Sequence, residues 1–232
     1  DDKAVITGTG TGTVVEDTTQ TATGKLTVVD PDAGQAVFQA GTQTGSYGSL
    51  VLQANGTWTY TLDNAKAQPL QQDETKTETF TVKSADGTES TITVTVKGVN
   101  DVPTVTGATA SVTENNGTST VTATGKVIVT DADHDQSGVI AGTYNGTYGK
   151  VVLGADGQWT YTLTQSPEIT ALLTGQNKTD TITFKTLDGT DKTITVTING
   201  LSSQLNITAG TGNVAEDSVA TATGTLTGNT AT

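Results

Sequence analysis

The sequence predicts an all-β protein built from tandem Greek-key β-sandwiches of immunoglobulin-like type, and three observations carry that expectation. Threonine makes up roughly a quarter of the chain and alternates with Val, Ile and aromatic residues, the composition of half-buried strands. The alternating runs are separated by Asn55-Gly56, Asp86-Gly87, Asp156-Gly157 and Asp188-Gly189, dipeptides that signal tight hairpins. The whole pattern then recurs with a period of about 100 residues, too long for a solenoid turn and right for a string of autonomous domains.

The recurrence is specific. Val14-Val15-Glu16-Asp17 returns as Val112-Thr113-Glu114-Asn115 and as Val214-Ala215-Glu216-Asp217. Ala22-Thr23-Gly24-Lys25-Leu26 returns as Ala123-Thr124-Gly125-Lys126-Val127 and as Ala222-Thr223-Gly224-Thr225-Leu226. Gly56-Thr57-Trp58-Thr59-Tyr60-Thr61-Leu62 matches Gly157-Gln158-Trp159-Thr160-Tyr161-Thr162-Leu163, and Tyr47-Gly48 matches Tyr148-Gly149. Two complete modules, 1–101 and 102–201, are therefore expected, with the opening strands of a third over 202–232. Within a module, residues 24–29 and 47–53 read as strands. Trp58, Tyr60 and Leu62 share one face, as do Phe80 with Val82, and Ile92 with Val94 and Val96. About seven strands with turns this frequent make a Greek-key sandwich. The tryptophan of each module alternates in phase with Tyr and Leu, so it is expected in the core. Leu70, and Ile169 with Leu172, mark a short helical or irregular crossover.

Composition narrows the function. The net charge is −13, every basic residue is lysine, and neither cysteine nor methionine occurs. Nucleic acid and anionic membrane are poor partners for such a surface. Disulfides, thiolate metal sites and cysteine nucleophiles are excluded. No apolar run reaches the length of a membrane span, Asp1-Asp2-Lys3 is not a signal peptide, and the chain looks like a segment of something longer. His134 is the one histidine, expected in an exposed loop, and no nucleophile and base recur or cluster, which argues against an enzyme.

Oxygen-bearing side chains give the sharpest functional signal. After the alternating run 90–96, Lys97-Gly98-Val99-Asn100-Asp101-Val102-Pro103 breaks the ladder and presents an amide beside a carboxylate, donors that suit a hard cation. Asp131-Ala132-Asp133-His134-Asp135 places three acids at alternate positions after a strand, a spacing that lets several oxygens converge on one ion. The first module has Asp30-Pro31-Asp32 at that place, with Gly34 where the third acid would come. Neither run has the glycine placement or the distal Glu of an EF-hand loop.

The pattern resembles the VCBS or bacterial cadherin-like repeats of giant secreted adhesins of the RTX type. The motifs that carry the resemblance are Val14-Val15-Glu16-Asp17, Ala22-Thr23-Gly24-Lys25-Leu26-Thr27-Val28-Val29-Asp30, the Trp58 strand, Ser84-Ala85-Asp86-Gly87-Thr88 and Gly98-Val99-Asn100-Asp101. The resemblance implies cadherin-like sandwiches serving as tandem extenders on a Gram-negative surface, exported by a type I system, stiffened by extracellular Ca2+, and partnered by neighbouring repeats of the same polypeptide. By the cadherin analogy, Glu16, Asp86, Asn100, Asp101, Asp131 and Asp133 share ions at the joint, with Asp135 completing the acidic run. Asp2, Asp30 and Asp32 would be the receiving half of an earlier joint, and Glu114 and Asp188 would serve the next. That next joint reads Gly200-Leu201-Ser202-Ser203-Gln204-Leu205, without the acid or the proline, and Gly228-Asn229 stands where an Asp-x-Asp should arise. Weaker or absent calcium is expected there.

Two other readings stay open at this level: a glycan- or protein-binding module using loops such as 138–146, and an accessory domain of a secreted hydrolase. The Asn-x-Thr sequons at Asn55, Asn116, Asn145, Asn177 and Asn206 read as turns, and outward threonine rows as ordinary sheet surface.

Overall fold

The structure, a computed structural model, describes residues 2–201, 205–208 and 227–230. It divides into two compact units, Asp1–Thr104 with Val129–Ser137, and Val105–Ile128 with Gly138–Thr232. The acidic run after position 130 thus folds with the first unit. The motif copies at 214–217 and 222–226 lie outside the described residues.

In the first repeat the elements are β1 (Val5–Gly8), β2 (Thr11–Val15), β3 (Thr21–Val29), β4 (Gly41–Thr44), β5 (Gly48–Leu52), β6 (Thr57–Leu62), α1 (Asn64–Ala67), β7 (Thr75–Lys83) and β8 (Glu89–Lys97). One sheet runs β1-β3-β6-β5-β4 and the other β2-β8-β7, with β2 parallel to β8 and the remaining pairs antiparallel. The opening strand is thus split between the two sheets, which adds one strand to the seven the periodicity predicts.

The second repeat follows the same plan with β9 (Thr104–Thr106), β10 (Thr109–Thr113), β11 (Thr122–Lys126), β12 (Ile128–Thr130), β13 (Gly142–Asn145), β14 (Gly149–Leu153), β15 (Gln158–Leu163), α2 (Pro167–Thr170), β16 (Asn177–Lys185) and β17 (Asp191–Asn199). Its sheets run β11-β15-β14-β13 and β10-β17-β16. Beyond it, β18 (Leu205–Thr208) pairs antiparallel with β19 (Thr227–Thr230). No helix among the described residues is long and apolar enough to cross a membrane.

Side-chain alternation fixes the cores. Trp58, Tyr60 and Leu62 point inward from β6 and meet Phe80 and Val82 of β7 and Ile92, Val94 and Val96 of β8, all buried. Burying each such side chain is worth roughly 1.5–3 kcal/mol. The tryptophan lies flat on the backbone of β3: a Cβ at Gly24 would stand 2.4 Å from the Trp58 ring, and at Gly125 2.4 Å from the Trp159 ring. The indole N–H donates to the Thr9 carbonyl at 2.8 Å in the first repeat and to the Gly107 carbonyl at 3.2 Å in the second. Both tryptophans are core anchors.

Each core also holds an acid. Glu78 and Asp180 are in phase with the inward apolar residues of β7 and β16 and are buried. Glu78 accepts from Tyr60 Oη and, at 3.0 Å, from the Tyr47 N–H. Asp180 accepts from Tyr161 Oη at 2.9 Å, the Thr147 N–H at 2.7 Å and the Tyr148 N–H at 3.0 Å. Burial and the neighbouring carboxylate push both phenols well above their usual range, so they remain donors at any physiological pH. The acid thereby pins the β4–β5 or β13–β14 hairpin to the opposite sheet, satisfying amides that would otherwise be orphaned. Urea denaturation tests this. Tyr161→Phe should cost about 1 kcal/mol, and Asp180→Ala, which strands three donors, at least about 3 kcal/mol. Equal losses in the two variants would contradict the assignment.

Candidate metal centre

The candidate centre lies within the first unit, beyond the ends of β2 and β8. Alternation carries Glu16 inward directly after the core residue Val14, and Glu16 is buried despite its charge. Its amide donates to the Lys97 carbonyl at 3.0 Å, and its Oε2 accepts the Val99 N–H at 3.1 Å. Asp17 follows with φ 57, a left-handed turn that ends the strand. Two side chains in and just after α1, one helical turn apart, hold this pair. Asn64 Nδ2 donates to Asp17 Oδ1 at 2.7 Å, while Gln68 Nε2 donates to Glu16 Oε1 at 2.8 Å and to Asp17 Oδ1 at 3.0 Å. None of Asp17, Asn64 and Gln68 stood among the expected site residues. The i, i+4 spacing of Asn64 and Gln68 was the available signal.

The segment after β8 crosses this end at close range. A Cβ at Gly98 would lie 2.4 Å from the Gln71 carbonyl oxygen, so the break in the ladder is also a steric requirement. Asn100 Nδ2 then donates to the Asp101 carbonyl at 2.8 Å, and the Asp101 N–H donates to Asp133 Oδ2 at 3.0 Å. Asp133 is buried, with its own amide on Asp131 Oδ1 at 3.1 Å. The loop is tied down by the His134 N–H to the Pro69 carbonyl at 3.0 Å, and by Gln71 Nε2 to the His134 carbonyl at 2.8 Å. His134 is exposed but engaged, its ring nitrogens lying 2.8 Å from Glu74 Oε2 and 3.0 Å from Asp135 Oδ2.

The electrostatics of this group are unbalanced. Burial first, then the negative charges of Asp101, Asp17 and Asp133, raise Glu16 to about 7, against the opposing pull of the Val99 amide. Burial, Asp133, Asp17 and Asp131 raise Asp101 as well. Among the described residues, Asp101 Oδ2 and Asp133 Oδ1 are buried with no hydrogen-bond partner. An acceptor so placed costs on the order of 1–3 kcal/mol, more when charged. The donors are all oxygens of carboxylates and amides, the set that suits Ca2+ and not softer metals. On donor chemistry and on these orphaned oxygens the residues fit a hard divalent cation. Among the described residues no three acidic or imidazole side chains already converge as a ligand set. The carboxylates rest instead on backbone amides.

The remaining expected ligands are distributed elsewhere. Asp135 is turned outward to His134, its side chain 89% exposed. Asp86 sits in the β7–β8 turn, at the far end of the hairpin from Lys97, and does not join Glu16. Its carboxylate accepts from Ser84 Oγ, the Thr88 N–H at 3.0 Å, Thr88 Oγ1 at 2.7 Å and the Ala4 N–H at 3.0 Å, hydrogen bonds that hold it far below the usual carboxylate range. Asp188 repeats this turn with Thr186 and Thr190. Near Asp86 the N-terminal segment reproduces the Asp101 pattern. The Asp2 N–H donates to Asp32 Oδ2 at 2.6 Å, the Asp32 N–H to Asp30 Oδ1 at 2.8 Å, and Asp30 Oδ2 is buried without a hydrogen-bond partner among the described residues. In the second unit Glu114 is buried and accepts the Leu201 N–H at 2.9 Å, as Glu16 accepts Val99. Asn115 replaces Asp17 there, and Gln165 Nε2 donates to its Oδ1 at 2.9 Å.

The raised Glu16 sets a pH dependence for the metal-free chain. An acid whose folded pKa exceeds its ordinary value of 4.5 stabilises the fold below that value and loses this as pH rises through about 7. His134, raised by Asp135 and Glu74, acts in the same direction near neutrality. Asp86 and Glu74, both lowered, act only in stronger acid. In chelator, stability should therefore fall between pH 5 and pH 8 by up to ~3 kcal/mol, and Glu16→Gln should flatten most of the fall. A metal-free wild type at least as stable at pH 8 as at pH 5 would contradict the placement of Glu16.

The family profile for the bacterial cadherin-like domain matches residues 1–98 and 100–200. No curated protein sequence matches the chain. Among solved structures, a protocadherin gammaB7 EC3-6 cis-dimer structure aligns at 16% identity and TM-score 0.49, over 87% of this chain and 48% of that one. Protocadherin Gamma B2 cadherin domains 3-6 align at 14% identity and TM-score 0.48, over 89% and 49%. A protein of unknown function from Porphyromonas gingivalis W83 aligns at 12% identity and TM-score 0.27, over 84% and 99%. The chain thus spans about half the length of the protocadherin structures it matches. With the profile running through both repeats, the chain belongs to the bacterial cadherin-like domain family.

Proposed function

We propose that this chain is a calcium-stabilised extender, a run of spacer repeats in a large secreted bacterial surface adhesin that projects a distal binding domain in adhesion or biofilm formation. Membership of the bacterial cadherin-like family supports an extracellular, adhesion-type repeat and a structural, non-enzymatic role. The RTX-type parent and type I export rest on the sequence resemblance.

The observation that carries the calcium reading is the pair of buried, unpartnered oxygens, Asp101 Oδ2 and Asp133 Oδ1, beside a Glu16 raised to about 7. Glu16, Asp17, Asn100, Asp101, Asp131 and Asp133 would hold the ion. Bound Ca2+ supplies the positive charge this group lacks and stabilises the folded form by binding it alone. Segment 129–137, which the sequence assigns to the second repeat, would then be fastened to the first unit by charge as well as by its backbone hydrogen bonds. The N-terminal group of Asp2, Asp30 and Asp32 is the matching half of a preceding site. The end around Glu114, with Asn115 for Asp17, would bind calcium more weakly or not at all.

Differential scanning calorimetry tests the proposal. At calcium far above its dissociation constant the transition of the first unit should rise by about 10 °C or more over chelator, while Asp101→Asn with Asp133→Asn should melt alike in both. Superimposable wild-type profiles would sink it.

A further inference from the structure

Four Asn-Gly pairs occur in the chain, at Asn55-Gly56, Asn116-Gly117, Asn145-Gly146 and Asn199-Gly200. Such a pair is chemically labile, because the amide nitrogen of an unhindered glycine can attack the preceding side-chain carboxamide. Three of the four glycine nitrogens are held by backbone hydrogen bonds. Gly56 N–H donates to the Gln53 carbonyl at 2.9 Å, Gly146 N–H to the Gly149 carbonyl at 2.8 Å, and Gly200 N–H to the Gln176 carbonyl at 2.9 Å. Asn55 is restrained further, its Oδ1 accepting the Thr57 N–H at 2.9 Å.

The fourth pair differs. Among the described residues the Gly117 N–H makes no hydrogen bond, Asn116 and Gly117 are both exposed, and no atom lies within 4 Å of where a Gly117 Cβ would stand. Both residues take left-handed backbone angles, φ 53 and 73, a conformation asparagine holds at some cost. The turn is closed by the Thr118 N–H to the Asn115 carbonyl at 3.2 Å and by Thr118 Oγ1 to the same oxygen at 2.9 Å.

We infer that Asn116 is a site of spontaneous deamidation. Solvent base removes the Gly117 amide proton, and the nitrogen attacks Asn116 Cγ. The N–Cγ bond forms, the Cγ–Nδ2 bond breaks, and the amide group leaves as ammonia once protonated, giving a cyclic imide. Water then opens the imide at either carbonyl, leaving aspartate or isoaspartate at position 116. No oxidant or reductant is needed. The product is a second carboxylate two residues from the buried Glu114, whose Oε2 accepts the Asn116 N–H at 2.6 Å in the unmodified chain. Age thus adds negative charge one residue beyond Asn115, the residue that stands in place of Asp17.

The test is peptide mapping by mass spectrometry of the intact 232-residue chain after incubation at mildly alkaline pH, below its melting transition. The mass gain of an amide-to-acid exchange should accumulate at Asn116 at least about tenfold faster than at Asn55, Asn145 or Asn199, because those three must first release a bonded glycine amide. Asn116→Gln should remove the fast phase and keep the melting profile. Equal rates at all four pairs, or a fast phase that survives Asn116→Gln, would overturn the assignment.

Discussion

Buried like charge is the constraint on which the first unit depends. Glu16 is carried inward by the same alternation that buries Val14, and the segment after Lys97 then brings Asp101 across it, with Asp133 behind. Among the described residues no lysine pairs with the group. Backbone amides and the amides of Asn64 and Gln68 satisfy some of its oxygens, but dipoles do not cancel net charge, and two oxygens have no partner among the described residues. A divalent cation, as proposed, would resolve both deficits at once. Its affinity would then be coupled to the folding of this end of the sandwich and to the retention of segment 129–137.

The two buried acids of each repeat solve different problems. Glu78 and Asp180 accept only from neutral donors, and those donors come from the chain's own hairpin loops and tyrosines, so the acid works as a fixed structural link. Glu16 and Glu114 occupy matching places after the second strand of each repeat, and each accepts a backbone amide beyond the last strand. Around Glu16 the neighbours are acids, whereas around Glu114 the adjacent residue is Asn115, tied to Gln165. One architecture thus surrounds the buried acid with further carboxylates in the first repeat and with amides in the second.

Much of the fold was legible because alternation is a direct readout of which side chains enter a sandwich. Trp58, Tyr60, Leu62, Ile92, Val94 and Val96 lie where their phase put them, and Asn55-Gly56 and the three Asp-Gly pairs lie in turns, each with its glycine at positive φ. The same phase contained a signal that went unread, an acid at 78 and at 180 in register with Phe80 and Ile182. Gly98 was legible as a break in the ladder, and the hydrogen bond from the Asp101 N–H to Asp133 joins two of the residues expected together. Grouping Asp86 with Glu16 followed the cadherin analogy against the strand pattern: a nine-residue strand separates the Asp86 turn from Lys97, so Asp86 lies at the end away from Glu16. Asp135 shares the Asp-x-Asp spacing, yet its positive φ of 61 turns it to solvent. Asn64 and Gln68 offered only their i, i+4 spacing, and four helical residues carry too little periodicity to announce which face they present.

The most direct measurement is a high-resolution crystal structure of the chain grown in abundant calcium, with anomalous differences collected to separate the ion from water. The expected result is a cation site of about seven or eight oxygens, of the order usual for calcium, built on Glu16, Asp101 and Asp133 with those side chains rotated off their backbone amides. Well-ordered density containing only water there, with the carboxylates still seated on the Val99 and Asp101 amides, would contradict it.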